Sequence, residues 1–175
     1  MALKPNLLSK NDLPKNTIIG GNVDPDKYIA NIKIAQDGYI KEVLGKTLYD
    51  KICDDYAFTY DAVGTGSTLS GLYLEMFDDY ITPMLIHKST ELYLAIAPYS
   101  VTNAGVTKSK TDMLETISLA EKNSMVSISR GIYDMYHQRF VEWLKINSIN
   151  IPEYPVSLPV SSQYIMVNGW FLKRA

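Results

Sequence analysis

The sequence predicts a mainly α protein: a helical bundle of about four helices, with an extended N-terminal arm and an extended C-terminal tail ending in a β-hairpin. Three observations predict it. Apolar residues recur at helical spacing between residues 24 and 148, in segments bounded by capping residues and prolines. The 175 residues are 46% hydrophobic and 21% charged, the composition of one globular domain and not of a disordered chain. The last stretch changes character, with Pro152, Pro155 and Pro159 followed by two β-prone apolar runs around Asn168-Gly169. The expected organisation is an arm over 1–23, a bundle core over 24–148 and a proline-rich tail with its hairpin over 149–175.

The arm mixes Pro5, Pro14, Gly20 and Gly21 with polar residues and shows no period. The first helix starts at Asp24-Pro25-Asp26, where Asp24 can cap, Pro25 fits the first helical position and Asp26 suits the positive helix end. At 100° per residue, Tyr28, Ile32, Ala35, Tyr39 and Val43 form one apolar stripe. Leu44, Leu48, Tyr49 and Ile52 form a second, displaced by roughly 160–200°. One straight helix cannot bury both against the same core. The phase jump falls at Gly45, which is therefore expected to end one helix in a left-handed conformation and let a second leave at an angle. Gly38, on the flank of the first stripe, either permits close approach of another backbone or is tolerated without a special role.

Residues 57–69 contain Gly64 and Gly66 without a period and read as a mobile loop; the lysine and setting of a phosphate loop are absent. Ser70 is the expected cap of the next helix. That helix is apolar nearly all round (Leu72, Tyr73, Met76, Phe77, Tyr80, Ile81, Leu85, Leu92, Ile96) and so belongs at the bundle centre. Pro83 should kink it and Pro98 should end it. A polar, turn-forming stretch over 99–112 follows, with Gly105 available for a positive φ. Asp112 and Glu115 resemble an acidic capping box for a long helix running to about Asn147. Its expected inward residues are Met113, Ile117, Ala120, Ile128, Ile132, Met135, Phe140 and Leu144. In the tail, Tyr164 and Met166 point to one face of a regular strand and Ile165 and Val167 to the other, while Trp170, Phe171 and Leu172 supply both faces of its partner. A two-stranded hairpin apolar on both sides needs a cover, either its own bundle or a neighbouring chain reached through the proline-rich segment; on the second reading these seven residues are the expected protein-interaction site.

The composition restricts the function classes. A net charge of −2 leaves no whole-molecule field to hold nucleic acid or an anionic membrane. Cys53 is the only cysteine, which excludes an internal disulfide and fits a reducing compartment. The N-terminus lacks a signal-peptide run and no apolar stretch reaches transmembrane length, so a soluble intracellular protein is expected. Candidate chemistry is sparse. His87 and Glu91 lie one helical turn apart, a spacing that could hold a metal, but no second histidine or cysteine is near, and a partly buried histidine beside a carboxylate is the expectation. His137 is expected on the surface or in a groove. Asp54-Asp55 and Asp78-Asp79 are adjacent pairs whose members diverge by 100°, so neither alone forms a magnesium site. No nucleophile elbow or kinase signature is present, and no enzyme, cofactor or metal is expected. Lys108, Lys110, Lys173 and Arg174, with Trp170 and Phe171, resemble a single-strand-binding pattern only superficially.

The order of a capped helix with Ala35-Gln36, the run Val43-Leu44-Gly45-Lys46-Thr47-Leu48-Tyr49-Asp50, a loop and apolar helix, Val101-Thr102-Asn103-Ala104-Gly105-Val106, and a long helix ending near Trp143-Leu144 resembles the head–tail connector (adaptor or head-completion) proteins of tailed bacteriophages. The likeness covers residues 24–150. It implies a virion protein, assembled in the host cytoplasm, whose helical bundle forms a homo-oligomeric ring, a dodecamer in that family, beneath the portal. Such a ring extends the DNA channel, lets genomic DNA pass without specific binding, docks later tail components and catalyses nothing. The alternatives are a helical DNA-binding or DNA-packaging accessory protein, and a small helical enzyme using His87 and Glu91.

Overall fold

The computed structural model describes residues 4–19, 23–56, 69–97 and 118–154 in full, and the backbone of four short strands within 99–108 and 164–173. It is mainly helical. The elements in order are α1 (Asp12–Asn16), α2 (Ile29–Ala35), α3 (Lys41–Asp55), α4 (Leu72–Met76), α5 (Thr82–Ile96), β1 (Tyr99–Thr102), β2 (Gly105–Lys108) and α6 (Leu119–Asn147). Strands β1 and β2 pair antiparallel, Thr102 opposite Gly105 and Tyr99 opposite Lys108, so Gly105 opens a strand where the sequence reads only a polar turn. Among the described residues, no helix is long and apolar enough to cross a membrane.

Asp24 caps as its position predicts: its Oδ1 accepts the Asp26 N–H at 3.1 Å, and Pro25–Lys27 form a tight 3₁₀ turn before α2. The helix does not then run straight to Gly45. Residues Gln36–Ile40 make a wide π turn, closed by the Lys41 N–H on the Gln36 carbonyl five residues back. One extra residue in a turn rotates everything after it by about 100°. That rotation brings Ile40 and Leu44 onto the face begun by Tyr28, Ile32 and Ala35, and all five are fully buried. Tyr39 and Val43, which the unbroken wheel places inward, are only partly buried. The remaining phase difference is taken at Gly45, whose φ of 73° and ψ of 164° break the helix inside α3. The φ is positive as the wheel requires. The ψ is extended and not left-handed helical, in a region that glycine alone occupies readily. Beyond it Leu48, Tyr49, Ile52 and Cys53 reach the core. A Cβ built on Gly38 meets nothing within 4 Å, so of its two readings the structure supports tolerance.

A second π turn, Phe77–Ile81, joins α4 to α5, with the Thr82 N–H bonded to the Phe77 carbonyl. It stands directly before Pro83, which has no N–H to give the carbonyl four residues back and whose ring would crowd it. The kink expected at Pro83 is taken up by this widened turn. The expected cap at Ser70 is not made: Gly71, at φ 56°, occupies the cap position without a side-chain bond. For α6 the capping box is Ser118 with Glu121, each side chain bonded to the other's backbone N–H at 3.2 and 2.7 Å. The box expected at Asp112 and Glu115, the inward Met113 and Ile117, and the loop over 57–68 lie outside the described residues.

Helix α5 is the hub, with α1, α2 and α6 packed on it. The face that α6 offers it differs from the expected one. Ser129, Tyr133, Phe140, Trp143 and Leu144 are buried, whereas Ile128, Met135 and Ala120 stand exposed. Large aromatic areas decide the orientation: the Tyr80 ring lies 5.6 Å from both Phe140 and Trp143, and each aromatic removes more area from water than an isoleucine does.

The N-terminal segment, expected as an arm, is part of the core. Leu7, Leu8 and Leu13 are at most 2% exposed. The buried Gln36 amide holds the segment in place: its Oε1 accepts the Leu7 N–H at 3.0 Å, and its Nε2 donates to the Pro5 carbonyl and the Tyr49 hydroxyl, each at 2.9 Å. Tyr49 donates in turn to Asp37 Oδ1 at 2.6 Å. Sequence periodicity misses this segment because its leucines follow no helical or strand period, and only the cavity they fill orders them.

Two substitutions test these features. Gly45→Ala should destabilise by about 1–3 kcal/mol, because a Cβ is strained at that φ and ψ, while Gly38→Ala should be neutral or stabilising. Comparative thermal melts measure both, and a stabilised Gly45→Ala protein would mean that the break is not required. Gln36→Leu orphans the Leu7 N–H and the Pro5 carbonyl, at about 1–3 kcal/mol for each buried polar group left unmade. Limited proteolysis of that variant should cut within residues 4–19, where the parent is protected.

Candidate functional site

Where α5 and α6 meet Tyr39, a charged cluster sits in a wall of rings. Lys88 and Glu91, three residues apart on α5, have side chains only 9% and 7% exposed. Lys88 Nζ donates to Glu91 Oε2 at 2.8 Å and lies 4.1 Å from the Tyr39 ring centroid and 5.0 Å from that of Tyr133. The π turn is what presents Tyr39 here, and α6 supplies Tyr133. From α6, Arg130 reaches the other oxygen: its Nε and Nη2 bond Glu91 Oε1 at 2.9 and 2.8 Å. A buried cation thus has a carboxylate on one side and π faces on the others, which offsets its loss of water. Burial pushes the Tyr133 hydroxyl well above its ordinary range, so it stays neutral beside this cluster.

The histidines are oriented by rings. His87 stacks on Tyr136 with centroids 6.4 Å apart, and His137 on Tyr133 at 5.9 Å. Burial lowers the pKa of both, and Asp134 and Glu42 partly offset it at His137. His87 and Glu91 therefore do not form the metal pair their spacing allows, because both Glu91 oxygens are bonded to cations. Among the described residues no group of three His, Cys, Asp or Glu side chains could hold a metal. The acidic pair Asp54-Asp55 is divided between partners, Asp54 pairing with Lys4 at 2.6 Å and Asp55 with Lys51 at 2.9 Å. Tyr73 donates to Glu153, and burial with that bond pushes its hydroxyl up to about 12. Trp143 Nε1 donates to Glu75 Oε1 at 2.7 Å. Chemically this arrangement ties helices together.

Of the residues singled out from the sequence, Gly45 turns the chain within α3 and Gly105 opens β2. Tyr164, Ile165, Met166, Val167, Trp170, Phe171 and Leu172 lie outside the residues whose side chains are described. Sequence reasoning missed Lys88 and Arg130. Lys88 was legible in part, since a lysine inside a helix apolar on nearly every side must find a partner. Arg130 was not, because 39 residues separate it from Glu91. Apolar surface is also displayed: Ile18, Ile34, Ile128, Ile146 and Ile149 are each more than half exposed.

Fold and site together define a small helical protein whose described polar groups serve packing and some of whose apolar groups are left in solvent. The chain belongs to a family of unknown function (DUF6712), whose model matches residues 40–163, most of its length. No curated protein and no solved structure matches it.

The cluster predicts an asymmetry between its buried carboxylate and its exposed cation. Glu91→Leu leaves Lys88 buried without its anion and should cost about 3–5 kcal/mol, while Arg130→Ala, at a side chain 61% exposed, should cost at most about 1. Lys88→Met combined with Glu91→Leu should recover most of the loss. Urea melts of the three proteins measure it; equal losses for Glu91→Leu and Arg130→Ala would contradict the assignment.

Proposed function

We propose that the protein is a structural virion protein, a head–tail connector or adaptor subunit that forms a homo-oligomeric ring below the portal. In this reading the ring, a dodecamer as the resemblance implies, extends the DNA channel, passes genomic DNA without gripping it and docks tail components. The carrying observation is the surface: Ile18 after α1, Ile34 on α2, and Ile128 and Ile146 on α6 stand in solvent on an isolated subunit. Scattered singly such residues are ordinary on a monomer; in this reading they belong to the faces that ring neighbours cover. Further support comes from the run Val43–Asp50 that carries the resemblance, since its Gly45 occupies a conformation that gives that glycine a structural reason. The net charge of −2 agrees with a lumen that tolerates DNA.

The tail belongs to the same reading. Tyr164–Val167 and Trp170–Lys173 register as antiparallel partners, Tyr164 opposite Lys173 and Val167 opposite Trp170. We take this hairpin to be an assembly element, carried by the proline-rich segment at about 3.1 Å per residue to a neighbouring subunit or to another ring.

Negative-stain imaging and mass photometry of the purified protein with its portal should show rings seated on the portal. Truncation after Pro155 should preserve helical circular dichroism and melting temperature yet abolish that joining. A truncated protein that melts several degrees lower and aggregates would make the hairpin part of its own subunit's core. Salt-dependent DNA retardation by the free protein, without portal binding, would favour a DNA-packaging accessory instead.

A further inference from the structure

The outer face of α6 carries a pattern that its burial leaves unused. Ile128, Ile132, Met135, Arg139, Glu142 and Ile146 on α6, with Ile149 in the 3₁₀ turn Ser148–Asn150 that continues it, follow one another at alternating spacings of four and three residues. This is the spacing of a helix–helix seam, and it runs for about 30 Å. It lies roughly 150° round the helix from the buried stripe of Tyr133, Phe140 and Leu144. Ile128, Met135, Ile146 and Ile149 are 61%, 39%, 77% and 87% exposed, and Ile132 is half-buried. Arg139 and Glu142 are exposed at the seam's centre, and neither makes an ion pair with another described residue.

The order of these residues is self-complementary. A two-fold axis placed midway between Arg139 and Glu142 sets Arg139 of one copy against Glu142 of the other, and the reverse. The same operation sets Met135 against Ile146 and Ile132 against Ile149. Every apolar position but the terminal Ile128 then meets an apolar one, and each charge meets its opposite. A parallel pairing in register would set Arg139 on Arg139 and Glu142 on Glu142, placing like charges together. A two-fold contact of this kind uses the same patch on both subunits and closes on itself.

We propose that this face binds a second copy of the chain, as an antiparallel α6–α6 pair, in the free protein. The inference concerns the free protein and does not rest on the connector reading; since a closed pair generates no ring and covers Ile146, the pair would have to open before ring neighbours could cover that residue.

Size-exclusion chromatography with light scattering on the full-length protein should give a dimer that dissociates on dilution. Arg139→Glu and Glu142→Arg should each weaken it at least tenfold, since each sets like charges against each other twice. The double variant should restore it, with helical content unchanged throughout. Orientation is read by cross-linking. A mixture of the single variants Met135→Cys and Ile146→Cys should form a disulfide-linked heterodimer in preference to either homodimer, with the native Cys53 buried and out of reach. A monomer at all concentrations would overturn the proposal, as would a dimer indifferent to the charge variants. So would a monomer that dimerises only once the chain after Tyr154 is removed, because the tail would then be the occupant of this face.

Discussion

A single amide side chain holds the first half of this fold together. Gln36 is fully buried, and its oxygen and nitrogen bond three groups in two distant parts of the chain: the backbone at Pro5 and Leu7, and the hydroxyl of Tyr49. A buried amide left unbonded is costly, so these partners are obligatory once Gln36 faces inward. It faces inward at the start of the wide turn Gln36–Ile40, where the first stripe gives way to the next. The arrangement is therefore mutual. The turn rotates the following helix so that Ile40 and Leu44 reach the core, and the amide at its start gathers in the N-terminal segment.

The two π turns have different causes and similar effects. The second precedes Pro83 and relieves a backbone conflict that proline makes unavoidable. The first contains Gly38 but meets no such conflict; what it accomplishes is a change of face. It also places Tyr39 over Lys88, so the irregularity that aligns the core forms one wall of the buried charged cluster. With Lys88 bonded to Glu91 and Glu91 to Arg130, α5 and α6 are fixed along a polar seam as well as an aromatic one. Buried ionic groups add little net stability, but they are intolerant of misregister, which suits an interface between two long helices.

One helix serves two directions. The inner stripe of α6 is aromatic and meets α5 and the Phe77–Ile81 turn. The outer stripe is aliphatic, punctuated by Arg139 and Glu142. That division explains why a hydropathy ranking places Ile128 and Met135 inside: on a scale that rewards aliphatic residues, the outer stripe looks like the core. Tyrosine and tryptophan bury more area and keep a polar handle for a partner, as Trp143 does with Glu75.

The sequence by itself determined the helical class, the Asp24 start, the end of α6 at Asn147, the break at Gly45 and the disturbance near Pro83. The start, the break and the disturbance follow from local backbone chemistry, namely a capping carboxylate, a φ that only glycine reaches cheaply and a missing N–H, and the helical class follows from periodicity. Tertiary structure decided the rest. Whether residues 4–19 form an arm or a wall depended on a cavity and on Gln36, 29 residues from Leu7 in the chain. The choice of inner stripe on α6 depended on the rings opposite it, and the partnership of Lys88, Glu91 and Arg130 depended on helices brought together from distant segments. Periodicity reports that a helix has an apolar face; which of two such faces is buried is set by what the neighbouring helices present.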